Sequence, residues 1–329
     1  MTNGSIPIRR LRRLSTLLLT TALVVAAGAC GSGSPEPAPP AAPGTPDKVA
    51  VGVIAIVDVA PIYLGKEKGF FSNRNIDLDL QTAQGGAAIV PAVVGNTYQF
   101  GFSNVISLML AQSRNVPVKV VSNGVNSTGD ANKDFGGLVV KDPAITIPKG
   151  LAGKKVASNT LKNIVDTSVK EIVRKDGGDP SSITFVELPF PDMGPALEQG
   201  NVDGIFVVEP FLSAALAKGW KMIGAYADVD PNLCVALYFT SNQLIQTNPD
   251  LVSRFTEAMQ ESLAYADANP AEVRAILSTY TQLTEEVRAG LTLPKWKPDI
   301  DQAAVAKLGD LAVADGLLTA KPDLGALLP

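Results

Sequence analysis

PALEQGNVDGIFVVE, residues 195–209, sets the plan of the chain once it is laid against PAVVGNTYQFGFSN, residues 91–104. Each stretch starts in a helical pattern at Pro-Ala, passes through Gly-Asn, enters an apolar strand and leaves it on a polar residue. A strand–helix unit repeated at two equivalent points implies two lobes of one architecture. The second copy ends on Glu209, followed at once by Pro210. A lone carboxylate is costly to bury unless it is paired or hydrogen-bonded. Glu209 therefore either opens the next helix, with Pro210 in its first turn, or faces a cleft.

Working outward, the same alternation covers most of the chain. VAVGVIAIV (49–57) reads as a central strand, 60–70 as a helix ending at Gly69, and IDLDLQ (76–81) as a strand. Helix 86–94, strand 98–103, helix 104–113 and strand 117–122 follow. Strands are then expected at 136–142, 154–158, 183–188 and 204–208. Helices are expected at 160–176, stopped by Gly177-Gly178, and at 192–199 and 210–218. After a strand at 234–241 the pattern is helical to the end, with Asn248-Pro249 and Asn269-Pro270 as helix starts. Strands alternating with helices predict an α/β fold with largely parallel sheets.

Composition narrows the function. The 329 residues are 46% hydrophobic and 18% charged, enough for a sizeable core, and carry a formal net charge of −4. Four arginines crowd the N-terminus (Arg9, Arg10, Arg12, Arg13), so the body is more acidic still, which excludes nucleic acid as the expected partner. There is no histidine and there are two cysteines. Histidine-dependent nucleophilic catalysis is excluded, no zinc or other metal site is expected, and no cofactor is implied.

RRLRR (9–13), an apolar run from Leu14 to Ala29 and the small residues before Cys30 form a secretory signal pattern. AAGAC (26–30) resembles a bacterial lipobox, with Ala27 where leucine is usual; lipidation of Cys30 is the expectation. Residues 31–48, rich in Pro, Ala, Gly and Ser, read as a tether between a lipid anchor and the body. Cys234 then lacks a partner within the chain and reads as a small core residue.

In open α/β sheets ligands bind beyond the carboxyl ends of the strands. Those ends carry Asp58 with Tyr63 beyond it, Gly86, Ser103-Asn104, Asn123, Ser158-Asn159-Thr160 with Asn163, Asp192 and Glu209. Taken singly, the Ser, Thr, Asn and Asp residues serve equally well as helix caps. As a set they point to a ligand cleft. The lining lacks arginine, Lys162 being the one nearby base; the acids favour a ligand with N–H donors. Tyr63, Phe102 and Phe190 are stacking candidates, though such residues also build cores.

The segments 61–80, 85–104, 151–160 and 186–211 resemble the solute-binding lipoproteins of bacterial ABC importers, in the nitrate/sulfonate/taurine group that includes binders of thiamine pyrimidine precursors. The resemblance implies a two-lobed, periplasmic-binding-protein-like (type II) fold with a hinge between the lobes. Lobe one would span 49–128 plus 232–329, and lobe two 129–231. It also implies a cleft lined from Asp58 to Tyr63, at Gly86, Ser103-Asn104, the 158–160 segment with Asn163, and Glu209. The implied partners are a small-molecule ligand such as a sulfonate or aminopyrimidine, permease and ATPase subunits, and the outer face of the cytoplasmic membrane. The protein is expected to be monomeric. Two alternatives stay open: a ligand-sensing subunit on the same fold, and an enzyme. Relatives that make the thiamine pyrimidine precursor use a histidine as raw material, which this chain lacks.

Overall fold

A computed structural model describes residues 44–329. The leader, Cys30 and most of the tether lie outside the described residues.

Among the described residues, ten strands form two five-stranded sheets. The first holds β1 (Asp47–Val53), β2 (Ile76–Thr82), β3 (Phe100–Asn104), β4 (Val118–Asn126) and β10 (Cys234–Ser241), in the order β2-β1-β3-β10-β4. The second holds β5 (Gly136–Val140), β6 (Lys155–Ser158), β7 (Thr184–Glu187), β8 (Gly204–Val208) and β9 (Lys221–Ala225), in the order β7-β6-β8-β5-β9. The two orders are the same pattern. β3 and β8, the strands of the repeated stretch, occupy the centre of their sheets. The helices that precede them, Gly86–Val94 and Phe190–Glu198, each carry a proline at the sixth of nine positions, Pro91 and Pro195. Both then turn through a left-handed residue, Asn96 (φ 57°) in one copy and Gly200 (φ 75°) in the other. The repeat read in the sequence is thus a repeat of topology.

The sheets are mixed rather than largely parallel. β10 runs antiparallel to both β3 and β4, and β5 antiparallel to both β8 and β9. The cause is connectivity. These two strands are reached directly from the other sheet, without a crossover helix to return the chain to the starting end, so each enters from the opposite side. The crossings lie together: the Ser127 amide donates to the Leu233 carbonyl at 2.9 Å.

Several boundaries move for identifiable reasons. β1 begins at Asp47, inside the expected tether, and stops at Val53. It lies second from the sheet edge, not at the centre. The apolar run continues to Val59 because Ile54 and Ile56–Val59 are buried between the lobes, where Val57 N–H donates to the Glu209 carbonyl at 3.2 Å. Residues Val57–Val59 form a single 3-10 turn. Helix Ile164–Lys175 starts four residues late, since Asn163 caps it by accepting from the Val165 amide. β9 and the short helix Tyr226–Val229 were not anticipated, because KMIGA is a short edge strand opening on an exposed lysine.

The expected helix starts at Asn248-Pro249 and Asn269-Pro270 are present, the first with its side-chain cap. Asn248 accepts from the Leu251 amide and Pro249 opens the helix Pro249–Ala268, which lies along helix Ala60–Glu67. Helix Gln302–Ala314 touches both Val105–Ser113 and Ile164–Lys175, and so joins elements of both sheets. Arg174 pairs there with the buried carboxylate of Asp315, and Lys307 with Asp230 at 2.8 Å. Cys234 is buried and free, its thiol pushed up to about 12 by burial. No helix among the described residues is long and apolar enough to cross a membrane.

Candidate ligand-binding cleft

The ends of β1, β3, β6 and β8 converge between the two sheets on a small cavity of about 30 Å³. Ile54, Ile56, Asp58, Gly86, Phe102, Asn104, Val235 and Ala236 line it from the first sheet's side. Asn159, Ile164, Val165, Phe190, Val208 and Tyr226 line it from the second. The wall is apolar and aromatic, broken by one carboxylate and two amides, which is the usual make-up of a small-molecule site.

Asp58 is the unusual member. It is 3% exposed, and its Oδ2 has no hydrogen-bond partner. Its backbone is fixed, since the Trp296 indole Nε1 donates to its carbonyl at 3.0 Å. Burial pushes its carboxyl up to about 7, and the nearby charge of Asp134 adds to the rise. The buried phenols of Tyr226, Tyr238 and Tyr280 are driven well above the usual tyrosine value, first by burial and then by neighbouring groups that include Asp58.

Gly86 opens helix Gly86–Val94 and lies hard against Ser103; a Cβ there would fall 2.4 Å from Ser103 Oγ and 2.7 Å from its Cα. Ser103 Oγ is buried without a partner. Asn104 caps helix Val105–Ser113, its Oδ1 accepting from the Ser107 amide at 2.9 Å while its Nδ2 donates to Ser107 Oγ at 3.0 Å. On the facing lobe, Asn163 Nδ2 donates to Asn159 Oδ1 at 2.8 Å, and the Ser158 hydroxyl donates to the Thr160 carbonyl at 2.7 Å with Asn163 Oδ1 as a longer, shared acceptor at 3.2 Å. Residues 158–163 are therefore one bonded unit at a helix start. Asn159 and Thr160 abut Gly85 across the cleft, and a Cβ on Gly85 would fall 2.9 Å from Thr160 Oγ1.

Of the twelve expected residues, Asp58, Gly86, Asn104 and Asn159 line the cavity. Ser103, Ser158, Thr160 and Asn163 neighbour these liners without lining it, and four more sit elsewhere or do other work. Tyr63 stacks on Tyr280 with ring centroids 3.9 Å apart, outside the cavity lining. Asn123 is spent internally, its Nδ2 donating to Asn126 Oδ1 and the Lys297 carbonyl, each at 2.7 Å, so it ties β4 to the C-terminal segment. Asp192 is exposed: its helix begins two residues earlier than expected, at Phe190, which puts Phe190 inward and Asp192 outward on the first turn. There an acid suits the helix dipole. Glu209 is buried behind the cavity wall. Its Oε2 accepts from Ser213 N at 3.0 Å, and its Oε1 accepts from Ser213 Oγ at 2.7 Å and from Thr292 N at 3.1 Å. It caps helix Phe211–Ala217 and meets the opposite lobe.

Sequence reading missed the apolar liners Ile54, Ile56, Ile164, Val165, Val208, Val235 and Ala236, which look like core. Tyr226 was missed because β9, which delivers it, was unread. Among the described residues no lysine or arginine lines the cavity. Lys162 is exposed and, with Arg114, borders a separate groove of about 410 Å³ beside helix Gly86–Val94. No group of His, Cys, Asp and Glu among the described residues is arranged to hold a metal.

A family model described as NMT1/THI5 like matches residues 56–273. A 4-amino-5-hydroxymethyl-2-methylpyrimidine phosphate synthase of Aspergillus parasiticus is 22% identical over 228 residues, which are 64% of each chain. The chain thus spans a little under two thirds of that relative's length. The taurine-binding periplasmic protein of Escherichia coli strain K12 is 24% identical over 261 residues, 72% of this chain and 79% of that one. The solved periplasmic nitrate-binding protein of Synechocystis PCC 6803 superposes with a TM-score of 0.74 at 14% identity, covering 87% of each chain. That likeness shows the fold to be the two-lobed one of periplasmic binding proteins.

Proposed function

Since the chain belongs to the NMT1/THI5-like family, we propose that it is the solute-binding component of a bacterial ABC importer. It captures a small organic molecule between its lobes and delivers it to a membrane permease. The observation that carries this reading is the interlobe cavity itself: two strand-end clusters, one from each sheet, meet on an apolar pocket containing a buried acid and two amides. The reading includes a lipid anchor at Cys30, export to the outer face of the cytoplasmic membrane, a monomeric body, and lobes of 49–128 plus 232–329 and of 129–231.

The synthase relatives favour a second reading, an enzyme on the same fold. The absence of histidine from this chain weighs against it. One experiment separates the two. The full chain is screened by thermal shift against sulfonates, nitrate, aminopyrimidines, flavins and aromatic carboxylates, and each hit is incubated and followed for product. Saturable stabilisation without turnover is the expected result, worth about 2.7 kcal/mol at a hundredfold excess over Kd. Conversion of a hit into product would place the chain with the enzymes.

A further inference from the structure

We infer that the solute taken by this cleft presents a cationic or N–H-donating nitrogen, an ammonium, amidinium or ring amine, to the carboxylate of Asp58. The inference rests on the solute-binding reading above and names the chemistry of its ligand.

Three observations converge. Asp58 lines the interlobe cavity, is 3% exposed, and has an Oδ2 with no donor within reach. A carboxylate removed from water and left unpaired is among the least stable arrangements a fold can hold, and it gains most from a donor that arrives later. The groups around it supply none of the missing charge. Asp134 comes from the segment before β5, Tyr226 from the end of β9, Tyr238 from β10, and Tyr280 from the C-terminal helices. All are acids or neutral phenols. Asp134 is already saturated: its Oδ2 accepts from Ser127 Oγ at 2.7 Å and Ala227 N at 2.8 Å, and its Oδ1 from Thr128 N at 3.0 Å and Phe135 N at 2.9 Å. Finally, among the described residues no lysine or arginine lines the cavity to hold a bare oxyanion. The unmet requirement on the protein side is for a donor, so the recognised group on the ligand side is one.

The same geometry couples binding to a proton. At pH 6 much of Asp58 is protonated, so a cation that binds there expels that proton; above pH 8 it finds the carboxylate ready.

The test is titration calorimetry of the full chain and its Asp58→Asn variant with isosteric probe pairs. Taurine is compared with isethionate, in which a hydroxyl replaces the ammonium. The second pair is 4-amino-5-hydroxymethyl-2-methylpyrimidine and its 4-hydroxy counterpart. Nitrate and ethanesulfonate complete the set. At pH 8 the nitrogen-bearing member of a pair is expected to bind at least tenfold more tightly than its isostere, and Asp58→Asn to erase that ratio. Repeating the titration at pH 6 in buffers of different ionisation enthalpy should show release of up to one proton in the native chain and none in the variant. Equal affinity within a pair, tight binding by nitrate or ethanesulfonate alone, or a ratio that survives Asp58→Asn would overturn the inference while leaving the solute-binding function intact. Failure of every probe would remove that function and the inference with it. Circular dichroism of Asp58→Asn, an isosteric change that removes a buried charge, checks that the variant is folded.

Discussion

Glu209 Oε1 accepts a hydrogen bond from the Thr292 amide at 3.1 Å, linking the end of β8 to a segment near the C-terminus. The same carboxylate caps the start of the following helix through both the amide and the hydroxyl of Ser213. The acid after the apolar strand is thus paid for by three donors, all from the protein. Burial raises its carboxyl above the usual range and these bonds oppose the rise. Glu209→Ala should therefore cost about 1–3 kcal/mol of stability in urea unfolding, the penalty for stranding buried donors. Binding should weaken only as far as lobe closure does. A large affinity loss at unchanged stability would instead make Glu209 a ligand contact.

The Asp58 carboxyl sits at about 7 in the fold and near 3.8 unfolded. Well below pH 3.8 both states are protonated and the group adds no pH dependence. Between about 4 and 7 the folded chain holds a proton that the unfolded chain has lost, so stability falls as pH rises, by up to about 1.4 kcal/mol per pH unit. Glu209 and Asp166, also raised by burial, act with the same sign. Urea unfolding from pH 4.5 to 8 should show this decline, and Asp58→Asn should flatten it. An unchanged slope in the variant would mean that Asp58 is not the titrating group.

Gly86 sits where any side chain would strike Ser103. Gly86→Ala should push helix Gly86–Val94 off β3 at a cost of about 1–3 kcal/mol. It should also deform the cavity wall, so ligand affinity falls beyond what the stability loss explains. A variant with native melting temperature and native affinity would show that the helix yields freely.

Arg174 and Asp315 form a pair in which the carboxylate is 2% exposed and the guanidinium about a third exposed. Arg174→Ala takes the hydrogen-bond donor from the buried acid and leaves Lys170 as its nearby cation, and should destabilise by about 1–2 kcal/mol, less than a fully buried pair would. Asp315→Asn removes the charge itself and should cost less. Equal losses in chemical unfolding would point to lost packing rather than lost charge compensation.

Cys30 is the hinge of the export proposal. In the native host, Cys30→Ala should move the protein from the membrane fraction to the soluble one and from the detergent to the aqueous side of a phase-partition assay. Retention in the membrane would remove the lipid anchor.

Every strand but β9, and most helices, are legible because each pairs an apolar run with a distinct stop: Gly69 after the first helix, Gly177 after Ile164–Lys175, Asn248-Pro249 before the long helix. Period and punctuation cannot separate a strand from an apolar segment buried for another reason, so the strand expected at 49–57 includes Ile54–Val57, which lie beyond the end of β1 at Val53 and pack between the lobes. Polar strand-end residues were equally ambiguous. Asn104 is both a cap and a liner, Asn163 caps beside the cavity, and Asn123 is consumed by a distant C-terminal segment that no local pattern reveals. Tyr226 was hidden because its position depends on β9, whose pairing with β5 is non-local.

The placement of β10 has a consequence for biogenesis. It lies between β3 and β4, so those two strands share no ladder until residues 234–241 have joined them. The second sheet, by contrast, needs nothing beyond Ala225. A chain delivered from its N-terminus therefore cannot close the first sheet early; the inserted lobe can mature first, and the surrounding one completes around it. Under the proposed export, that order would keep the leading half open until residues 234–241 have emerged.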